Sequence, residues 1–139
     1  MKVMICCSTA FYDKVDEVSK YLLNRGDEVV YPNGYLENSF ELDENATDEE
    51  YSEFFKKMFQ ESIDKVKEVD AIIVLNYTKV KKGVELPNYI GASTFLEMYE
   101  AFMNDKKIYM MNGYPDNMLL DEIKSFRPII LNGDINNFK

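Results

Sequence analysis

Five short, mainly apolar runs alternate with longer segments in which apolar residues recur at helical spacing, and this alternation limits the fold of the 139-residue chain more than any other feature. Short continuous apolar runs are typical of strands buried on both faces of a sheet. Strands that alternate with helices favour a parallel sheet with right-handed crossovers. We therefore expect an α/β fold. The predicted strands cover residues 3–7, 28–31, 70–76, 107–111 and 128–131.

The number of strands makes the expected topology more specific. A doubly wound, five-stranded parallel sheet in a chain of this length usually has the flavodoxin-like strand order 2-1-3-4-5. Thr47 and Glu50 form a capping box that predicts the start of the second helix. Residues 77–87, which are rich in lysine, are predicted to form a mobile loop. The predicted helices cover residues 12–25 and 47–68, a stretch from between 88 and 93 to about 104, and a short stretch from an N-cap at Asp116 to about 126.

Composition and charge exclude several classes of function. The 16 basic and 25 acidic residues give a net charge of −9, which argues against binding to duplex nucleic acid or to an anionic membrane. Histidine is absent and the two cysteines, Cys6 and Cys7, are adjacent, so we expect no His-based catalysis, no metal site and no cofactor. No apolar run approaches the roughly 20 residues of a membrane span. We expect one cytoplasmic domain over residues 1–139, with Cys6 and Cys7 as inert thiols on opposite faces of the first strand.

In this topology ligands bind outside the carboxyl ends of the strands, so the residues that follow each strand are candidate binding residues. Ser8 and Thr9 follow the first strand, and Asn76 ends the third. Cys7, Ser8 and Asn76 occupy the places where a receiver domain needs acids, which argues against phosphoacceptor chemistry. The Ser8 and Thr9 hydroxyls could hold an anion or could simply cap the first helix.

Residues 88–101 form the most informative stretch, because a carboxylate interrupts an otherwise apolar helix. Gly91 and Ala92 allow close approach of a ligand, and Thr94 lies three residues before Glu97 on the same helical face. A partly desolvated carboxylate beside hydroxyls suits a nucleophile or a general base. Spacing alone leaves open the alternative that Glu97 caps the helix start or lies in solvent.

These residues resemble the nucleoside 2-deoxyribosyltransferase superfamily. The likeness lies in the pattern Gly91-x-x-Thr94-x-x-Glu97-Met98-x-x-Ala101, supported by the Cys-Ser end of the first strand and the Asp70-headed third strand. It implies a flavodoxin-like fold, a homo-oligomer, and an enzyme that transfers 2-deoxyribose between bases or hydrolyses the N-glycosidic bond of deoxynucleoside monophosphates. It also implies that Glu97 is the nucleophile.

The resemblance further suggests which residues bind the substrate. An acid that faces the base would fall at Ser62, with Glu61 and Asp64 beside it, and no acid follows Glu85 before Gly91. An aromatic residue after the first strand would be Phe11 or Tyr12. The full set of candidate substrate-binding residues is Ser8, Thr9, Phe11, Tyr12, Asn76, Gly91, Ser93 and Thr94.

Three functions remain open at this point. The first is cleavage or transfer at the N-glycosidic bond of a small-molecule nucleoside or nucleotide. The second is a non-catalytic nucleotide-binding or interaction protein that keeps the fold without the activity. The third is cleavage of another ribosyl bond, such as one in a dinucleotide. The aromatic stripe over residues 51–59 is predicted to be core or a subunit contact.

Overall fold

The five strands predicted for the sheet all form and all pair in parallel in the computed structural model, which describes residues 1–36, 42–116 and 119–139. The sheet strands are β1 (Lys2–Cys6), β2 (Glu28–Val30), β3 (Ala71–Val74), β6 (Lys107–Met110) and β7 (Ile129–Ile130). Their spatial order is β2-β1-β3-β6-β7. Counting only these five strands, this is the predicted order 2-1-3-4-5, so the flavodoxin-like topology is confirmed.

Two further strands correct the prediction of a mobile loop over residues 77–87. They are β4 (Lys79–Lys81) and β5 (Val84–Leu86), which pair antiparallel as a hairpin. The two turn residues, Lys82 and Gly83, have φ values of +51° and +76°. A two-residue turn of this kind needs positive φ at both positions, and Lys at the first is far less typical than Asn or Asp. The sequence therefore lacked the usual hairpin signal.

The helices lie close to their predicted positions, with two differences. The first predicted helix divides into a 3-10 helix (Thr9–Lys14) and α1 (Val15–Asn24), with a kink at Phe11. Asp116 does not cap the last helix, because the N-cap of α4 (Leu120–Ser125) is Leu119, three positions beyond the predicted cap. A cap must directly precede the first turn to reach its amides. The remaining helices are α2 (Asp48–Glu68), α3 (Ala92–Met103) and a final 3-10 helix (Ile135–Asn137).

Both faces of the sheet are covered, as the doubly wound prediction requires. Alternate residues of β1 pack on opposite faces of the sheet. Val3 and Ile5 pack with α1, whereas Met4 and Cys6 pack with α2, α3 and α4. Cys7 lies against the α1 side, so the prediction that the two thiols face opposite sides is confirmed. Every residue of β3 is buried, which explains its unbroken apolar sequence.

Helix α2 is mostly exposed. Its capping box forms as predicted, with the Thr47 hydroxyl accepting from the Glu50 amide. Among its described residues only Val66 is buried, while Tyr51 and Phe55 are 42% and 36% exposed and stack on each other. The aromatic stripe is therefore not part of this chain's core. Within the described residues, no helix has the length and apolar content required to cross a bilayer.

Candidate active site

A cleft of about 230 Å³ opens at the carboxyl ends of β1 and β2. One wall comes from the segment after β1 and another from the segment after β2. Helix α2 forms the third wall, and the first turns of α3 form the fourth. The cleft thus lies where the topology predicts a ligand site.

Most of the candidate residues from the sequence lie together around this cleft. The Cys7–Ser8–Thr9 segment and Tyr12 line one side. Gly91, Ser93, Thr94 and Glu97 line the opposite side, and Ser62 contributes from α2. Cys7 and Glu97, which are 90 positions apart in the sequence, therefore line the same cleft, although the sequence linked such residues mainly through their places at strand and helix ends.

Phe11 and Asn76 have other contacts and do not line the cleft. Phe11 is buried and packs edge-on against Tyr77 and Tyr89, with ring centroids 5.7 and 6.4 Å apart. The Asn76 Nδ2 donates to the Gly113 carbonyl at 2.9 Å, and its Oδ1 accepts from the Asn112 amide at 2.9 Å. Asn76 therefore ties the end of β3 to the segment after β6.

Glu61 and Asp64 also lie away from the cleft. Both are exposed on the outer face of α2, where the Asp64 Oδ1 accepts from Gln60 Nε2 at 3.1 Å. Successive residues of a helix are rotated by about 100°, so the neighbours of an inward-facing Ser62 point elsewhere. Of the three residues considered for contacting a base, only Ser62 reaches the cleft.

Glu97 is 9% exposed and occupies the inner wall of the cleft. The N-cap of α3 is Gly91, so Glu97 neither caps the helix nor lies in solvent. Burial raises the pKa of Glu97 from 4.5 to about 7, against the opposing influences of the nearby Ser62 hydroxyl, the charge of Lys65 and the nearby Cys6 thiol. A carboxylate with this pKa can act as either a base or a nucleophile near neutral pH.

The hydroxyls near the cleft have different surroundings. The Ser8 Oγ accepts from the Ala10 amide at 3.3 Å, which confirms that Ser8 caps the first helical turn while it also borders the cleft. Thr9 and Ser93 are exposed at the rim, and Thr94 is buried beside Glu97. The N-cap residue of α3 is Gly91, which has no side chain with which to cap the first-turn amides of this helix.

Asn33 also lines the cleft. It follows β2, one of the strand ends where a ligand was predicted to bind, but it was not selected as a candidate substrate-binding residue. The Asn33 Nδ2 donates to the Ser62 Oγ at 2.6 Å and to the Met58 backbone carbonyl at 3.2 Å. The backbone carbonyl of Asn33 accepts from the Tyr12 hydroxyl at 2.7 Å. The available signal was its position just after β2, at the same sheet edge as Ser8.

Charge within the cleft is concentrated on one group. Burial, together with nearby negative charge, raises the pKa of Cys7 and of Tyr12 to about 12, so both are neutral at neutral pH. Among the described residues that line the cleft, Glu97 is the only carboxylate and no lysine or arginine is present. The described part of the chain also contains no group of three His, Cys, Asp or Glu side chains arranged to hold a metal ion.

Comparison with known proteins gives matches at the level of structure. No protein-family model matches the sequence, and no curated protein matches it. One similar solved structure is a 2-deoxyribosyltransferase from Bacillus psychrosaccharolyticus, with 18% identity, a TM-score of 0.51, and coverage of 88% of this chain and 81% of that one. Another is a CMP N-glycosidase from Clostridium botulinum, with 15% identity, a TM-score of 0.52, and coverage of 99% and 95%.

This chain shares their fold. The expected resemblance to the nucleoside 2-deoxyribosyltransferases is thereby confirmed for the architecture, and it extends over nearly the whole chain. At such low identity the likeness concerns the backbone, so the chemistry has to be argued from the residues of the cleft.

Proposed function

We propose that this protein cleaves or transfers at the N-glycosidic bond of a nucleoside or nucleotide, with Glu97 as the nucleophile. The observation that carries this proposal is the buried Glu97 carboxylate, which lies on the wall of an open, hydroxyl-rich cleft. The fold supports the proposal, since similar structures are a 2-deoxyribosyltransferase and a CMP N-glycosidase.

The chemistry requires a carboxylate in such a setting. Loss of a nucleobase builds positive charge on the sugar, and a nearby carboxylate stabilises that charge and can trap it. In the first step a Glu97 oxygen bonds to C1′ while the C1′–N bond breaks. The electron pair of the C1′–N bond leaves with the base, and the base takes up a proton. In the second step water or another base attacks C1′, the C1′–Glu97 bond breaks, and the attacking group gives up a proton.

The hydroxyls around the cleft would bind the sugar. Ser8 and Thr9 lie on one side of the cleft, and Ser93 and Thr94 lie on the other. Hydroxyls donate and accept hydrogen bonds, so they match the hydroxyls of a ribose or deoxyribose. Tyr12 and Phe59 border the same cleft and offer aromatic surface to a base.

Base release tests the proposal directly. The protein is incubated with nucleosides, deoxynucleosides, their monophosphates and a dinucleotide, with and without a second free base, and the products are separated by chromatography. Glu97→Gln should lower turnover by roughly a thousandfold or more, because the nucleophile is lost while the shape of the cleft is kept. Glu53→Gln, an exposed position on α2, should retain wild-type turnover. Equal turnover in Glu97→Gln and the wild type would remove Glu97 from this role.

A second candidate is a nucleotide-binding protein without catalysis. Glu97 is the only carboxylate among the described residues that line the cleft, so no second acid in this part of the chain assists a departing base. Calorimetric binding of a nucleoside or nucleotide, with no release of base from any of the substrates, would favour this candidate over the enzyme.

We also propose that the protein is a homo-oligomer. The exposed aromatic residues Tyr51 and Phe55 form a stacked surface with Phe54 and Phe59 on the first half of α2. Contiguous apolar surface of this kind is typical of interfaces between subunits.

A further inference from the structure

A second cavity, with a volume of about 250 Å³, lies beside the cleft and is lined by residues of α2 and α3. It shares part of its wall with the cleft, so the two cavities adjoin. The residues that border both are Phe59, Ser62, Ser93 and Glu97. The residues that line only the second cavity are Ile63, Leu96, Tyr99 and Glu100.

The two cavities differ in chemistry. The cleft presents several hydroxyls, whereas Ile63, Leu96 and Tyr99 make the second cavity mainly apolar. Leu96 and Tyr99 are 44% and 42% exposed, so their apolar surface is open to a ligand. Flat aromatic rings stack on such surfaces, whereas sugar hydroxyls require hydrogen-bonding partners. The pair of cavities therefore matches the two halves of a nucleoside, with Glu97 in the wall that they share.

The size of the second cavity suits one ring system. Pockets for drug-sized ligands have volumes of roughly 300 to 1,000 Å³. A cavity of about 250 Å³ is smaller than these, and it therefore fits part of a small molecule, such as a nucleobase.

Glu100 is the polar group that distinguishes the second cavity from the cleft. It is half-buried, and Asn104 Nδ2 donates to its Oε2 at 3.2 Å and to its backbone carbonyl at 2.8 Å. Within the described part of the chain, the Glu100 Oε1 has no hydrogen-bond partner and the carboxylate forms no salt bridge. A carboxylate oxygen accepts hydrogen bonds, so Glu100 offers an unused acceptor to a donor in this cavity.

We propose that the second cavity binds the nucleobase and that Glu100 is a specificity-determining residue that selects bases with an exocyclic amino group. This inference rests on the proposed function, because it takes the ligand to be a nucleoside or nucleotide. An amino group can donate a charge-assisted hydrogen bond to the carboxylate. A base without this group leaves the half-buried carboxylate desolvated and without a partner, so it binds more weakly.

Free bases test the cavity without any turnover. The probes are two matched pairs, adenine with purine and cytosine with pyrimidin-2-one, whose members differ only by the amino group. Ligand-observed NMR titrations give the dissociation constants. We expect the amino-bearing member of at least one pair to bind the wild type roughly tenfold more tightly. Glu100→Ala should abolish this advantage, and Glu100→Gln should retain a smaller one, because a neutral carbonyl accepts more weakly than a carboxylate.

Matched controls separate the cavity from its surroundings. Glu53→Ala removes an exposed carboxylate from α2 and should keep the wild-type advantage. Tyr99→Ala should weaken the binding of both members of a pair by roughly three- to tenfold, because it removes a stacking surface. Phe102→Ala, at a similarly exposed aromatic residue of α3 that does not line the cavity, should leave both affinities unchanged.

Three results would overturn the inference. The first is equal binding of the two members in both pairs by the wild type, and the second is an unchanged advantage in Glu100→Ala. The third is a lower molar mass of Tyr99→Ala with unchanged base affinity, which would assign the cavity to a contact between subunits. Failure of the proposed function appears separately, as absence of base release by the wild type.

Discussion

Burial of Glu97 has opposite effects on reactivity and on stability. A pKa of about 7 makes the carboxylate a better nucleophile and base than an exposed glutamate. The same burial makes its ionised form costly to the folded state. The two consequences can be measured separately, one in turnover and one in unfolding.

The proposed function predicts that turnover follows the ionised fraction of Glu97. Since the proposed nucleophile must be deprotonated, kcat/KM should rise with pH and level off above about 7. Initial rates of base release between pH 5 and pH 9 measure this profile. A rate that is already constant from pH 5 upward would contradict a nucleophile of this pKa.

The free energy of unfolding should fall over the pH range in which kcat/KM rises. Between 4.5 and about 7 the native state holds a proton on Glu97 that the unfolded state has lost, so stability falls as pH rises. One pH unit corresponds to about 1.4 kcal/mol, so the interval amounts to about 3 kcal/mol. Glu97→Gln, which carries no charge, should therefore be more stable than the wild type by about 3 kcal/mol at pH 8 and no more stable below pH 4.

Urea unfolding at the two pH values measures this difference. Glu53→Gln, which removes an exposed carboxylate from α2, is the matched control and should stay close to the wild type at both. A gain in Glu97→Gln that is equal at pH 4 and pH 8 would mean that ionisation is not its cause.

At the level of elements, side-chain hydrogen bonds as well as the sheet connect the end of β3 to the segment after β6. Asn76 is completely buried, and it bonds to the Asn112 amide and to the Gly113 carbonyl. Asn76→Ala would leave these groups without partners and should lower the free energy of unfolding by roughly 3 kcal/mol. Urea unfolding monitored by circular dichroism tests this, with the exposed Asn24→Ala as a control.

Local sequence patterns predicted some secondary-structure elements correctly and missed others. The buried strands and the capping box at Thr47 were predicted correctly, because burial on both faces and capping chemistry each leave a pattern within a few residues. The hairpin was missed because Lys82 occupies a turn position where Asn or Asp is usual. The expected Asp116 cap was wrong because the N-cap of α4 is Leu119, three residues later.

At the level of the whole molecule, the exposed aromatic surface on α2 bears on assembly. Phe55→Asp should shift the protein toward the monomer, because a charge in the centre of an apolar contact must be desolvated. Light scattering coupled to size-exclusion chromatography gives the mass. Val80→Asp, at an exposed apolar position on the β4–β5 hairpin, should leave the mass unchanged. A wild-type protein that is monomeric at high concentration would contradict the proposed oligomer.

The sequence by itself determined the order of the five sheet strands and the helices between them, the topology of the sheet and the edge at which the cleft opens, because periodicity and strand–helix alternation are local properties that topology rules convert into an architecture. It also singled out Glu97 as the candidate nucleophile. Only the tertiary structure decided that Glu97 is buried, that Ser62 lines the same cleft, and that Asn33 donates a hydrogen bond to Ser62. The cleft joins α2, α3 and the segments after β1 and β2, which packing brings together although they are far apart along the chain.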